Sequence, residues 1–183
     1  MPRTAPGDLV TLRHVKLAKT FARADVGLVV EPSPDRVEPA CPHYGREQCG
    51  GCQLQHLAMP AQLAAKRTMV GEALRRIGKL AVEDPDIESA EMVWGYRNKV
   101  TLTVSGGARE IGFHRQGRPG EVFDLERCLI ADPALMDLWA AVREHRALLP
   151  DNAEQLVLRR DRDGGLHLTV RVHGQTVWRS AAL

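Results

Sequence analysis

The stretch Cys41-Pro-His-Tyr-Gly-Arg-Glu-Gln-Cys49-Gly-Gly-Cys52-Gln-Leu-Gln-His56 holds three of the four cysteines of the chain, and the fourth, Cys128, lies far downstream. Three thiols this close, set among polar residues and glycines, do not read as core packing, where a buried cysteine usually sits singly on an apolar face. The Cys49-Gly-Gly-Cys52 unit lets the backbone turn tightly and approach a bound group closely. A disulfide is disfavoured, because a close Cys-x-x-Cys without a secretory signal more often serves metal or redox chemistry. Cys128 could complete a four-thiolate shell of the kind that iron–sulfur clusters and structural zinc both require. Spacing alone leaves both metals open, and His43 and His56 flank the cysteines as further zinc ligands.

The longer run from Pro32 to Leu57, PSPDRVEPACPHYGREQCGGCQLQHL, resembles the signature segment of the bacterial 23S ribosomal RNA (uracil-5-)-methyltransferases, in the iron–sulfur branch of that family. The shared pattern is Pro-Ser-Pro-x-Arg, then Cys-Pro-His, Cys-Gly-Gly-Cys and Gln-x-Gln-His. Further matches follow in order: Tyr96-Arg97-Asn98-Lys99, Ile111-Gly112-Phe113-His114, and the segment from Asp124 to Ile130. The resemblance implies that Cys41, Cys49, Cys52 and Cys128 ligate a 4Fe–4S cluster. It departs from the family at one point, with seven residues (Pro42 to Gln48) between the first two cysteines where the family has five.

Working outward, residues 7 to 30 read as β structure. Leu9, Val10, Leu12 and Val15 mark one strand, and Phe21 to Val30 a second with a bulge at Gly27. Glu31-Pro32-Ser33-Pro34 ends it, because each proline lacks a donor and restricts its predecessor. By resemblance these strands are the latter part of a TRAM domain, an OB-like RNA-binding barrel that needs about five strands to close. Residues 1–35 are therefore expected to form a partial TRAM segment. Residues 36–58 then carry the cysteine motif. Residues 59–80 hold an amphipathic helix running from Pro60 to Ile77, with Pro60 in its first turn, Gly78 past its end and a stripe of Leu63, Val70, Leu74 and Ile77. The family places a catalytic domain beside this helix, so without that domain part of the stripe would be exposed.

Residues 81–183 are expected to form a central α+β domain. The acidic connector Glu83 to Glu91 leads to an alternating strand, Asn98 to Val104. A turn at Ser105-Gly106-Gly107, a partner strand from Glu110 to Arg115, a turn from Gly117 to Gly120 and a strand from Glu121 to Leu125 follow. Asp132-Pro133 opens a second helix, with Leu135, Leu138, Trp139 and Val142 buried and Pro150 at its end. Gln155 to Arg160 and Leu166 to Val172 make a hairpin, and Thr176 to Arg179 a further strand. Tyr96, Arg97, Lys99, His114, Arg115 and Arg118 are the candidates for RNA contact. Arg13, Lys16, Lys19 and Arg23 could also meet phosphates, or simply form a solvated basic face.

The composition, 44% hydrophobic and 26% charged, is that of a folded globular protein rather than a disordered one. Net charge is only +2, so any case for nucleic acid rests on where the cations cluster. No apolar run approaches the roughly 18 residues of a membrane span. Arg3 is followed by no long apolar region, so no signal peptide and a cytoplasmic location are expected. The reaction implied by the resemblance uses S-adenosylmethionine, a cysteine nucleophile and a general base. No Gly-rich strand-to-helix turn with a downstream acid is found, and all four cysteines are assigned to the cluster. The doubly wound methyltransferase domain is thus expected to be absent, S-adenosylmethionine to enter only through a separate catalytic domain or chain, and this portion to be inactive alone. The competing expectation is a zinc-stabilised nucleic-acid-binding module without enzymatic activity.

Overall fold

The computed structural model describes residues 3–105 and 110–175. The fold is α+β, with most regular structure in two antiparallel sheets. The chain divides into two units whose segments alternate along the sequence: Met1–Tyr44 with Cys52–Ser89, and Gly45–Gly51 with Ala90–Leu183.

In the first unit, β1 (Leu9–Leu17) and β2 (Ala22–Glu31) pair antiparallel. Among the described residues they form a two-stranded sheet and no closed barrel. The register passes from Thr11 opposite Leu28 to Leu12 opposite Val26, so Gly27 is the extra residue of a bulge. A Cβ there would stand 2.7 Å from the Thr11 hydroxyl, which is why glycine occupies it. After the single turn α1 (Pro42–Gly45) comes α2 (Met59–Arg76), with a proline in its first turn. Only Gly71 of α2 is buried. The expected stripe is largely open, with Val70 50% and Ile77 83% exposed. The segment after α2 folds back on it: Asp84 pairs with Arg75 at 2.7 Å, and a Cβ on Gly71 would overlap the Asp84 carboxylate.

The second unit is built on a five-stranded sheet of order β5-β4-β3-β6-β7. Its strands are β3 (Lys99–Val104), β4 (Ile111–Arg115), β5 (Arg118–Asp124), β6 (Ala153–Arg160) and β7 (Leu166–Val172). α3 (Pro133–Glu144) lies between β5 and β6 in sequence. Alternation puts Val100 and Leu102 of β3 and Leu156 and Leu158 of β6 on one face. There they pack with Leu135, Met136, Trp139 and Val142 of α3 in one core cluster. The Asp132 side chain caps α3 by accepting the Ala134 N–H at 2.9 Å, and Trp139 Nε1 donates to the Leu125 carbonyl at 3.0 Å.

In this unit three boundaries differ from expectation by two residues or more. The β4–β5 turn is the two residues Gln116-Gly117, and β5 starts at Arg118. Gly117 supplies the positive φ of +72° that lets so short a loop close. α3 stops at Glu144 rather than running to Pro150, and a 3-10 turn at Arg146–Leu148 follows. That turn returns Leu149 to the core cluster, which a straight helix would not do. β6 begins two residues early, at Ala153. The Gly106-Gly107 turn and the Thr176–Arg179 strand lie outside the described residues.

Candidate functional site

In the first unit, residues 35–37 and 56–58 clamp the base of the cysteine loop. Arg36 bridges antiparallel to Leu57, the Val37 N–H donates to the His56 carbonyl at 3.0 Å, and the Ala58 N–H donates to the Asp35 carbonyl at 2.8 Å. Beneath the clamp, Asp8 accepts from Arg36 Nε at 3.0 Å, from Ser33 N–H at 2.9 Å and from Ala5 N–H at 2.6 Å. It also accepts from the Arg36 terminal nitrogen. The Arg36 guanidinium holds the Asp8 carboxyl well below the usual carboxylate range, against the upward push of burial, with help from the Ser33 and Ala5 amides.

Within the loop, Cys41 and Cys52 belong to this unit and are half-buried. The Cys41 N–H donates to Gln55 Oε1 at 3.2 Å. Tyr44 is buried under the Arg3 guanidinium, 4.2 Å from its ring centroid. Its hydroxyl meets the Gln53 carbonyl at 2.9 Å and His56 Nδ1 at 2.6 Å. Burial pushes the Tyr44 pKa up and the His56 pKa down. Through Nδ1 the His56 ring holds the loop to Tyr44.

Cys49 and Cys128 belong to the second unit. Cys49 is buried and Cys128 packs against the same core cluster. Residues 48–50 run beside the end of β4: the Gly50 N–H donates to the His114 carbonyl at 3.1 Å, and the Gln116 N–H donates to the Gln48 carbonyl at 2.8 Å. A Cβ on Gly50 would stand 3.2 Å from the His114 oxygen, so the first glycine of the pair serves close approach to a strand. The Gly51 N–H points to Cys49 Sγ at 3.4 Å. The Cys128 N–H faces Met136 Sδ at 3.2 Å.

None of the four cysteines is in a disulfide. The structure places two in each unit, and among the described residues no three His, Cys, Asp or Glu side chains converge as a metal-holding group. In kind, four cysteine sulfurs are a donor set that a thiolate-bound cluster and structural zinc both accept.

The RNA-contact candidates fall into three groups. Tyr96, 55% exposed, and half-buried Arg97 lie at the approach to β3. The backbone of Arg97 is fixed there by Ile130 and Asp132. Lys99 and His114 are exposed, and His114 Nε2 meets Thr103 Oγ1 at 3.1 Å. Arg115 and Arg118 flank the β4–β5 turn and share Glu121, at 3.7 and 3.2 Å. Arg115 also donates to the Glu47 carbonyl at 2.8 Å. Sequence reading missed Asp8, whose partner Arg36 lies far along the chain, and the exposed Arg159 and Arg171 of β6 and β7. The strand alternation could have flagged both arginines. No helix among the described residues is long and apolar enough to cross a membrane.

No family model matches the chain. Curated relatives do. An uncharacterized RNA methyltransferase of Listeria monocytogenes is 42% identical over 132 residues, 71% of this chain and 28% of that protein. The 23S rRNA (uracil(1939)-C(5))-methyltransferase RlmD of Dechloromonas aromatica is 36% identical over 150 residues, 79% of this chain and 34% of that protein. An uncharacterized RNA methyltransferase of Thermosynechococcus vestitus is 35% identical over 176 residues, 94% of this chain and 38% of that protein. The chain therefore spans about a third of the length of these relatives.

Proposed function

Because the chain belongs to the RNA methyltransferases, through the N-terminal portion of that family, we propose that it is the RNA-recognition and iron–sulfur portion of an S-adenosylmethionine-dependent RNA (uracil-C5) methyltransferase. In this reading it acts on 23S ribosomal RNA in the cytoplasm and is inactive without a catalytic domain or chain. The observation that carries the reading is the likeness to RlmD over 150 residues of this chain.

Cys41, Cys49, Cys52 and Cys128 would hold a 4Fe–4S cluster. When bound, the cluster supplies a cross-link whose binding energy becomes folding energy. The residues of the chain do the rest. The Asp8–Arg36 pair and the Tyr44–His56 hydrogen bond fix the base and inside of the loop, and the Gly51 amide donates to the Cys49 sulfur. β1 and β2 are read as TRAM strands. Tyr96, Arg97, Lys99, His114, Arg115 and Arg118 are proposed to contact RNA. Of these, Arg115 and Arg118 must share or release Glu121 to do so.

The test is anaerobic purification followed by iron, sulfide and zinc analysis and a visible spectrum, on the wild type and on Cys128→Ser. Brown protein with near-stoichiometric iron and sulfide, lost in the variant, is the expected result. Colourless protein with one bound zinc would replace this reading with the zinc-stabilised binding module. Methylation of uracil in RNA by the purified chain alone would refute its inactivity.

A further inference from the structure

The five-stranded sheet has one face in the core and one face open. On the open side of β3, β6 and β7 the registers line up three rows. Lys99, Arg159 and His167 form the first, Thr101, Val157 and Thr169 the second, and Thr103, Gln155 and Arg171 the third. Directly opposed residues share a face, and the alternate positions Val100, Leu102, Leu156 and Leu158 are buried on the other. Lys99, Thr101, Arg159, His167, Thr169 and Arg171 are all exposed.

The three rows carry no carboxylate. Asp161, in the β6–β7 turn, is taken by His167 at 2.7 Å, and Glu154 by His173 at 3.3 Å. Among the described residues, Lys99, Arg159 and Arg171 have no ion pair, and Arg171 donates to the neutral Gln155 Oε1 at 2.9 Å. These cations contrast with Arg115, Arg118, Arg143 and Arg160, each of which is neutralised by an acid. A chain of net charge only +2 thus gathers three uncompensated cations on one flat face, interleaved with hydroxyl and amide groups. Lys99 and Arg159 are neighbours at the strand spacing of about 4.8 Å, and Arg171 on β7 is offset by four residues, about 13 Å along the strand direction.

We propose that this open sheet face is an RNA-backbone-binding surface, on which Lys99, Arg159 and Arg171 neutralise phosphates while Thr101, Thr169 and Gln155 offer hydrogen bonds to phosphate and ribose oxygens. The proposal rests on the RNA-recognition reading above and adds Arg159 and Arg171 to it. The face has no aromatic side chain of Phe, Tyr or Trp in its rows, so it grips the backbone and carries no base preference of its own.

The test compares binding of a fluorescein-labelled single-stranded oligouridine across a salt series. Three forms are used: wild type, the triple variant Lys99→Gln/Arg159→Gln/Arg171→Gln, and a control triple variant Lys66→Gln/Arg76→Gln/Lys79→Gln. Both triple variants remove three charges. The sheet variant should bind at least about tenfold more weakly at low salt, with its log–log salt slope flattened by about 0.7 for each phosphate that is no longer neutralised. The control should stay close to wild type. Thr101→Glu, which removes no cation and sets a carboxylate in the middle row, should also weaken binding, and circular dichroism checks that each variant is folded. Equal losses in both triple variants would overturn the proposal, since net charge would then be the cause. A sheet variant that binds like wild type would overturn it too, while leaving the RNA-recognition reading intact. If the wild type itself shows no salt-dependent binding to the oligouridine or to a ribosomal RNA hairpin, the RNA-recognition reading falls with it.

Discussion

Replacing Asp8 by alanine should loosen the cysteine loop from beneath. The Asp8 side chain is 1% exposed and that of Arg36 21%, so this is a largely buried pair. Asp8→Ala leaves the guanidinium without its counter-charge and the Ala5 and Ser33 amides without their acceptor. Breaking one side of a buried ion pair costs about 3–5 kcal/mol, a large share of the roughly 5–15 kcal/mol that stabilises a typical domain. The double substitution Asp8→Leu/Arg36→Met removes both charges and should cost much less than the single change. The pH dependence has a definite sign. Asp8 has a folded-state pKa depressed chiefly by Arg36. Its contribution is therefore complete above the unfolded carboxylate value of about 4 and is lost as pH falls toward the folded value. Hydrogen exchange at the amides of Val37, Leu57 and Ala58, with urea melts at neutral and acidic pH, reads all of this. Asp8→Ala should speed exchange across the clamp and flatten the acid dependence. Unchanged exchange in Asp8→Ala, or equal damage from the double substitution, would refute the argument that the pair holds the loop base.

Other substitutions probe the second unit. Gly112→Ala should be severe, beyond about 4 kcal/mol, because its Cβ would stand 2.0 Å from the Phe123 carbonyl oxygen; a urea midpoint near wild type would contradict that geometry. Asp132→Ala should cost about 1 kcal/mol for the missing helix cap and under about 1 kcal/mol for the exposed pair with Arg160, whereas Asp132→Asn should forfeit only the second contribution. Chemical denaturation followed by circular dichroism separates the two. Trp139→Phe should cost about 1–3 kcal/mol by leaving the buried Leu125 carbonyl without its donor, and a thermal melt unaltered from wild type would count against that bond.

Local patterns were the part of the fold that could be read in advance. Pro60 and Gly78 bracket α2, Asp132-Pro133 opens α3, and period-two alternation marks β3, because each of these signals acts within a few residues. Gly27 likewise announced its bulge. What escaped depends on tertiary placement. Asp8 reads as one more polar residue until Arg36 folds over it, and the end of α3 is decided by the pull of Leu149 into the core. The glycines of Cys49-Gly-Gly-Cys52 suggested approach to a bound group, while Gly50 approaches the backbone of β4. The candidate RNA residues were drawn from the run between Tyr96 and Arg118, because sequence order hides that β6 and β7 lie beside β3.

The alternation of the two units along the chain limits how this protein can be divided. The polypeptide leaves the first unit after Tyr44 and contributes Gly45–Gly51 to the second. It then returns at Cys52. No single cut can release either unit whole. A break at the Ser89–Ala90 boundary would strip the second unit of the segment whose Gln48 and Gly50 bond to the β4 turn, and would strand Cys49 on the wrong fragment. Splitting the gene there, or trimming to the central domain for crystallography, would therefore yield a piece missing one of its own edges. A faithful excision would have to carry residues 45–51 along as a grafted loop.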